Sequence, residues 1–204
     1  MKTKILLTIT IFSFCMLALV PDGNAIQVTQ NDYEDAFPHI EGNYLVWQGK
    51  VDGDWEIFLY DIAAEETRQI TNNDYNDISP QTDGNYVVWT GYIDIGDTDI
   101  GGEIFLYDIF RQTTTRLTDD SAVDNPPKIA NGRVVWASHE VTDSIDPGEI
   151  LLFDVDTDTT PDNLSNSADL DDSSPRINDE TVMWIQTDGT DTKIFLYKDG
   201  ITSE

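Results

Sequence analysis

Asn31–Gly49 reads NDYEDAFPHIEGNYLVWQG, and Asn73–Gly91 reads NDYNDISPQTDGNYVVWTG. The stretches lie 42 residues apart and agree at 11 of 19 positions. A copy at that interval marks a repeat architecture. Four prolines carry the pattern further: Pro38, Pro80, Pro127 and Pro175. Each is followed nine residues later by a tryptophan, at Trp47, Trp89, Trp136 and Trp184. A hydrophobic segment follows each tryptophan: EIFLYDI from Glu56, EIFLYDI from Glu103, EILLFDV from Glu149 and KIFLYKD from Lys193. After the first three comes a short polar segment ending in Thr or Ser: TRQIT, TTRLT and PDNLS.

Each unit thus offers four short strands joined by Gly-, Asn- and Asp-rich turns, as hairpins require. In the second unit they are expected at Ile78–Thr82, Asn85–Thr90, Glu103–Ile109 and Thr114–Thr118. Along EIFLYDI, Ile57 and Leu59 point one way, and Phe58 and Tyr60 the other. Both faces are apolar, so such a strand must be covered on both sides. Repeats of 42 to 48 residues with two-sided burial fit the blades of a β-propeller. The expected fold class is therefore all-β: a four-bladed β-propeller with four antiparallel strands per blade. A β-sandwich is the runner-up, but it explains neither the repeat nor the double burial.

Two readings of the ring's closure stand side by side. IQVTQND at the start of the domain aligns with RQITNND at Arg68–Asp74. Ile26–Gln30 is then the outer strand that completes the last blade. Alternatively, ITSE at Ile201 begins its own outer strand, as in a larger array.

Pro–turn–Gly–YVVW, then EIFLYDI, then TRLT resembles the TolB-like β-propeller repeat of exported proteins. ISPQTDG at Ile78–Gly84 is similar to that family's S-P-D-G turn, with two extra residues between Pro80 and Asp83. The resemblance spans Ile26–Glu204. It implies a fold used mainly as a binding platform.

Met1–Ala25 has the layout of a secretory signal peptide: two lysines, an apolar run from Ile5 to Val20, and Gly23-Asn24-Ala25 before the cut. Ile26–Glu204 is the propeller domain. Its expected location is secreted, periplasmic or at the cell surface, with no membrane insertion after cleavage. Cys15, the single cysteine, falls in the leader, so packing alone must hold the domain.

The chain carries 39 acidic and 11 basic residues, a net charge of −28. Such a surface repels nucleic acid and anionic lipid. An acidic excess serves solubility, and it also suggests divalent cations. One repeat position, three residues before each proline, holds Asp35, Asp77, Asp124 and Asp172. In a closed ring these four could surround the channel mouth and hold Ca²⁺, an oxygen-seeking ion. The alternative is that each one fixes the turn before its proline. Two loops offer further oxygen ligands: Asp94, Asp97 and Asp99 in DIGDTDIGGE, and Asp154, Asp156 and Asp158 in DVDTDTTPD.

The position after each proline holds His39, Gln81, Lys128 and Arg176, whose basic members could neutralise the aspartates without metal. The repeated tryptophans read as core. Trp55 stands outside the repeat and is the candidate for an exposed sugar platform, with Tyr33 and Tyr75 as weaker ones. The sequence has no G-x-S-x-G, no H-E-x-x-H and no nucleophilic cysteine in the domain. The expected function is a non-catalytic binding or scaffold module, monomeric, that meets a protein or a surface glycan and requires no cofactor beyond optional Ca²⁺. The alternative is a divalent-cation-dependent enzyme that acts on polysaccharide through propeller carboxylates.

Overall fold

The computed structural model describes residues 25–93, 102–140, 147–167, 170–198 and 201–203. The chain divides into Met1–Gln30 and Asn31–Glu204. The predicted signal peptide falls almost wholly outside the described residues. So do Asp94, Asp97 and Asp99.

The described residues of Asn31–Glu204 form four antiparallel sheets, each built from one repeat. Sheet 1 runs β1 (Asp35–Glu41), β2 (Tyr44–Val51), β3 (Asp54–Asp61) and β4 (Glu66–Gln69). Sheet 2 runs β5 (Asn76–Thr82), β6 (Tyr86–Tyr92), β7 (Gly102–Asp108) and β8 (Thr113–Arg116). Sheet 3 holds β9 (Ala122–Asp124), β10 (Lys128–Ala130), β11 (Arg133–Glu140), β12 (Glu149–Asp154) and β13 (Asp162–Asn163). Sheet 4 holds β14 (Asp171–Asn178), β15 (Thr181–Thr187), β16 (Thr192–Lys198) and β17 (Ile201–Ser203). The strands expected in the second repeat sit within two residues of these bounds.

The closing strand is corrected. Ile26–Gln30 forms no strand. The outer edge of sheet 4 is taken instead by β17, with Leu196, Tyr197 and Lys198 paired to Ser203, Thr202 and Ile201. β17 follows β16 in sequence, so this pairing closes a far shorter loop than pairing with the opposite end of the chain and costs less entropy.

The prolines shape the inner strands. Pairing of β1, β5 and β14 slips between Ala36 and His39, Ile78 and Gln81, and Ser173 and Arg176. The residues just before the prolines, Phe37, Ser79 and Ser174, have φ of 51°, 57° and 56°. Proline has no N–H to give a ladder, so a bulge is where a strand tolerates it. Gln48 of sheet 1 helps hold one strained residue: its Oε1 accepts the Ser79 N–H at 2.8 Å. In the third repeat a second proline, Pro126, removes another donor, and the inner strand breaks into β9 and β10.

Alternation then distributes the core. Val46, Ile57 and Leu59 of sheet 1 pack on Val87, Trp89, Phe105 and Tyr107 of sheet 2. The opposite face of sheet 2, Val88, Ile104 and Leu106, packs on Val134 and Trp136 of sheet 3. Val135, Ile150 and Leu152 of sheet 3 pack on Val182 and Trp184 of sheet 4. One pattern recurs three times: an aliphatic face meets the aromatic face of the next sheet. Each such aliphatic side chain contributes about 1.5–3 kcal/mol on burial.

Candidate functional site

The four repeated aspartates have one job in all four sheets. The indole Nε1–H of Trp47 donates to Asp35 Oδ1 at 2.9 Å, and that of Trp89 to Asp77 Oδ1 at 2.7 Å. Trp136 donates to Asp124 Oδ1 at 2.9 Å, and Trp184 to Asp172 Oδ1 at 2.7 Å. The cause is register. Asp77 lies opposite Gly91, two residues beyond Trp89 on the same face of β6, so the indole edge reaches the carboxylate. Asp77, Asp124 and Asp172 are buried. Second donors follow: Asn31 Nδ2 to Asp35 Oδ2 at 3.1 Å, Asn73 Nδ2 to Asp77 Oδ2 at 2.7 Å, and Ser167 Oγ to Asp172 Oδ2.

Burial pushes the carboxyls of Asp77 and Asp124 up to about 6, against the downward pull of their hydrogen bonds. Each of the four carboxylates thus latches to the tryptophan indole of its own sheet. Among the described residues, no three acidic or histidine side chains gather to hold a metal ion.

Asp154, Asp156 and Asp158 bond within their own turn. Asp154 Oδ1 accepts Asp156 N–H at 3.0 Å, and Asp158 Oδ2 accepts Asp154 N–H at 2.7 Å. Tyr33 and Tyr75 are half-buried. They stack on Phe58 and Phe105 at 5.8 and 6.4 Å, and those rings stack in turn on Trp47 and Trp89. Trp55 is half-buried, with the Lys50 ammonium 5.8 Å from its ring centroid.

A second repeated bracket escaped the sequence reading. Thr71, Thr118 and Ser165 accept, through their hydroxyls, the N–H of Ile57, Ile104 and Ile150 at 2.7, 2.9 and 2.9 Å. Thr118 and Ser165 donate in turn to Glu103 Oε2 and Glu149 Oε2 at 2.7 and 2.6 Å. The signal was present: the Glu that opens each EIF or EIL segment and the Thr or Ser that ends the polar strand.

The position after each proline lies toward the inner strands and varies in every sheet. His39 Nδ1 accepts the Thr82 N–H of sheet 2 at 3.2 Å. Gln81 and Arg176 each donate to the carbonyl of the preceding proline at 2.9 Å. Lys128 is half-buried, and burial followed by the nearby Arg176 charge lowers its pKa. Burial and then Lys128 lower that of His39, against the pull of Glu41. A cavity of about 300 Å³ includes His39 in its lining, together with Glu41, Thr82, Asp83, Ile129 and Asp179 among others.

No family model matches the sequence. No curated protein matches it either. Solved structures do. A protein described as TolB from Agrobacterium tumefaciens superposes with a TM-score of 0.56 at 18% identity, over 79% of this chain and 60% of that one. TolB from Acinetobacter baumannii gives 0.52 at 19% identity, over 82% of this chain and 43% of that one. The fold is TolB-like. An oligogalacturonate lyase in complex with manganese also matches, with a TM-score of 0.53 at 12% identity, over 79% of this chain and 49% of that one. This chain spans less than two-thirds of the length of each. Both TolB and an enzyme share these sheets, so the fold by itself assigns no activity.

Proposed function

We propose that the chain is an exported, non-catalytic binding module, and that its ligand-contacting surface is the inner-strand position held by His39, Gln81, Lys128 and Arg176. The observation that carries this reading is that Lys128 and Arg176 stand on β10 and β14, strands that pack on each other, in a chain of net charge −28. Burial first, and the Arg176 charge second, lower the Lys128 pKa. The repeat elsewhere keeps Asp, Trp, Glu and Thr for architecture. This position takes a different side chain in each sheet, as a surface adapted to one ligand would. The ligand it fits is anionic: a carboxylate-bearing surface glycan, with an acidic protein segment as the other partner class.

Oligogalacturonate and a poly-glutamate peptide are the probes, titrated calorimetrically at low salt. Binding of the glycan, weakened at least tenfold in Lys128→Gln and Arg176→Gln, supports the reading. Binding of the peptide alone transfers the site to a protein partner. Binding of neither, or equal binding by both variants, removes it.

A further inference from the structure

A cavity of about 690 Å³ contains none of the four residues that follow the prolines. The β5–β6, β7–β8 and β10–β11 turns line it, with Tyr44 and Arg68 of sheet 1. Hydrogen bonds within and between the turns fix its walls. Asp83 Oδ1 accepts the N–H groups of Asn85 and Tyr86 at 2.9 Å each, and Asp83 Oδ2 accepts the Gly132 N–H of sheet 3 at 2.7 Å. Asp108 accepts both the N–H and the guanidinium of Arg111, at 2.7 and 2.5 Å. A site held in place before its ligand arrives loses less freedom on binding.

Several side chains here serve no part of the repeat's architecture. Phe110 is 92% exposed and forgoes the gain that burial gives a side chain of its size. The same turn position holds Ala63 in sheet 1 and Asp156 in sheet 3, so the turn does not call for an aromatic ring. Arg68 pairs with Leu59 across the strands, where Thr115 and Asp162 pair with Leu106 and Leu152. Its side chain is half-buried and has no hydrogen-bond or ion-pair partner among the described residues. The side chains of Asn85 and Gln112 are exposed and likewise unpaired among those residues. A partly desolvated guanidinium with its donors unused is a cost that a ligand's oxygens would relieve.

We propose that this cavity binds a neutral saccharide, one sugar ring stacked on Phe110 and its hydroxyls held by Arg68, Asn85 and Gln112. The negative face of an aromatic ring attracts the C–H groups that one side of a pyranose presents. A sugar hydroxyl both donates and accepts, so it suits a lining that mixes amides, guanidinium and carboxylate. Charge argues for a neutral ligand. Arg68 and Arg111 balance Asp108 and Asp156 within the cavity, so the lining does not favour an anion, and the chain at −28 disfavours one. The volume lies within the roughly 300–1,000 Å³ of small-molecule sites, room for about two sugar rings. The aromatic platform thereby moves from Trp55, half-buried beside Lys50, to Phe110. The site does not depend on what the inner strands bind.

The test uses maltose, cellobiose, lactose and N,N′-diacetylchitobiose. Each is titrated into the purified chain to about 20 mM by calorimetry and saturation-transfer NMR, since an open site supports about millimolar affinity. At least one is expected to bind, with affinity unchanged between about 0.05 and about 0.5 M salt because the ligand carries no charge. Phe110→Ala should weaken binding at least tenfold with the melting temperature unchanged, and Phe110→Tyr should keep it. Arg68→Gln should weaken it too. No binding by any of the four sugars overturns the proposal, as does equal binding by Phe110→Ala. Binding of digalacturonate alone, lost in Arg68→Gln, overturns it in favour of an anion site. Sugar binding that survives Phe110→Ala and disappears in Lys128→Gln overturns this site and leaves the inner-strand reading standing.

Discussion

The Trp89 indole N–H donates to Asp77 Oδ1 at 2.7 Å, and both residues are 1% exposed. An unpaired indole donor in that place would lose its water and gain nothing. An unpaired carboxylate would lose more. Each group makes the other's burial tolerable. The same pair occurs in every sheet, so it fixes where the inner strand crosses its neighbour.

Removing one partner should cost more than the bond itself contributes. Asp77→Ala leaves the indole donor buried and unpaired, and should destabilise by about 1–3 kcal/mol. Asp77→Asn keeps an acceptor without a charge and should cost little at neutral pH. Urea unfolding curves of the two variants rank them; equal losses would argue against the pairing.

Acid should stabilise this protein over part of the pH range. The Asp77 and Asp124 carboxyls sit at about 6 in the folded chain, against 3.8 unfolded. Between those values the folded state holds more protons, so stability falls as pH rises through the window. The penalty is complete above the folded value and vanishes below the unfolded one. It amounts to roughly 2–3 kcal/mol for each group. The urea midpoint should therefore rise as pH drops from about 7.5 to about 5, and Asp77→Asn should blunt the rise by removing one titrating group. A midpoint that stays level or falls in the unaltered chain refutes this.

Gly91 should not accept a side chain. A Cβ there would sit 2.7 Å from Phe105 Cε2 and 2.8 Å from Asp77 Oδ1. Gly91→Ala must push the stacked ring or the latch aside, at about 1–3 kcal/mol. Gly53→Ala gauges a different effect: its Cβ meets nothing within 4 Å, but φ of +118° strains it. Near-ultraviolet circular dichroism separates the two, since only the Gly91 variant disturbs the Trp89–Phe105 stack.

The Thr118 hydroxyl bridges the Ile104 N–H and Glu103 Oε2. Thr118→Val conserves shape and removes both bonds, leaving a buried amide and one fewer donor to a buried carboxylate. The expected loss is about 2–4 kcal/mol, the sum of two deprived groups. Thr118→Ser should recover most of it. Hydrogen exchange at the Ile104 amide reads the site directly, and unchanged protection in the valine variant would dismiss the bracket.

The repeat, the strand positions and the tryptophan core were legible because local periodicity sets them. Val87, Val88, Trp89 and Thr90 alternate between two faces whatever surrounds them. The Asp-to-Trp interval of twelve was visible too, but its meaning was not, since it depends on a bulge that brings Asp77 opposite Gly91. Tyr33 and Tyr75 looked like loop aromatics because nothing local predicts that they cap Phe58 and Phe105. The Glu–Thr bracket joins residues fifteen apart across a strand pair. Each partner reads alone as a solvated polar residue.

The sequence by itself determined that this chain folds as four like sheets, because strand period, turn residues and two-sided apolar strands act within each repeat. Only the tertiary structure decided which strand completes the last sheet. IQVTQ and ITS carry the same outer-strand pattern, and a pattern names a kind of strand without naming its edge. The edge of sheet 4 goes to Ile201–Ser203 because the nearest segment closes the shortest loop. Tertiary structure likewise decided what the repeated aspartates touch, because the register across each bulge or break brings every one of them to the indole of its own sheet.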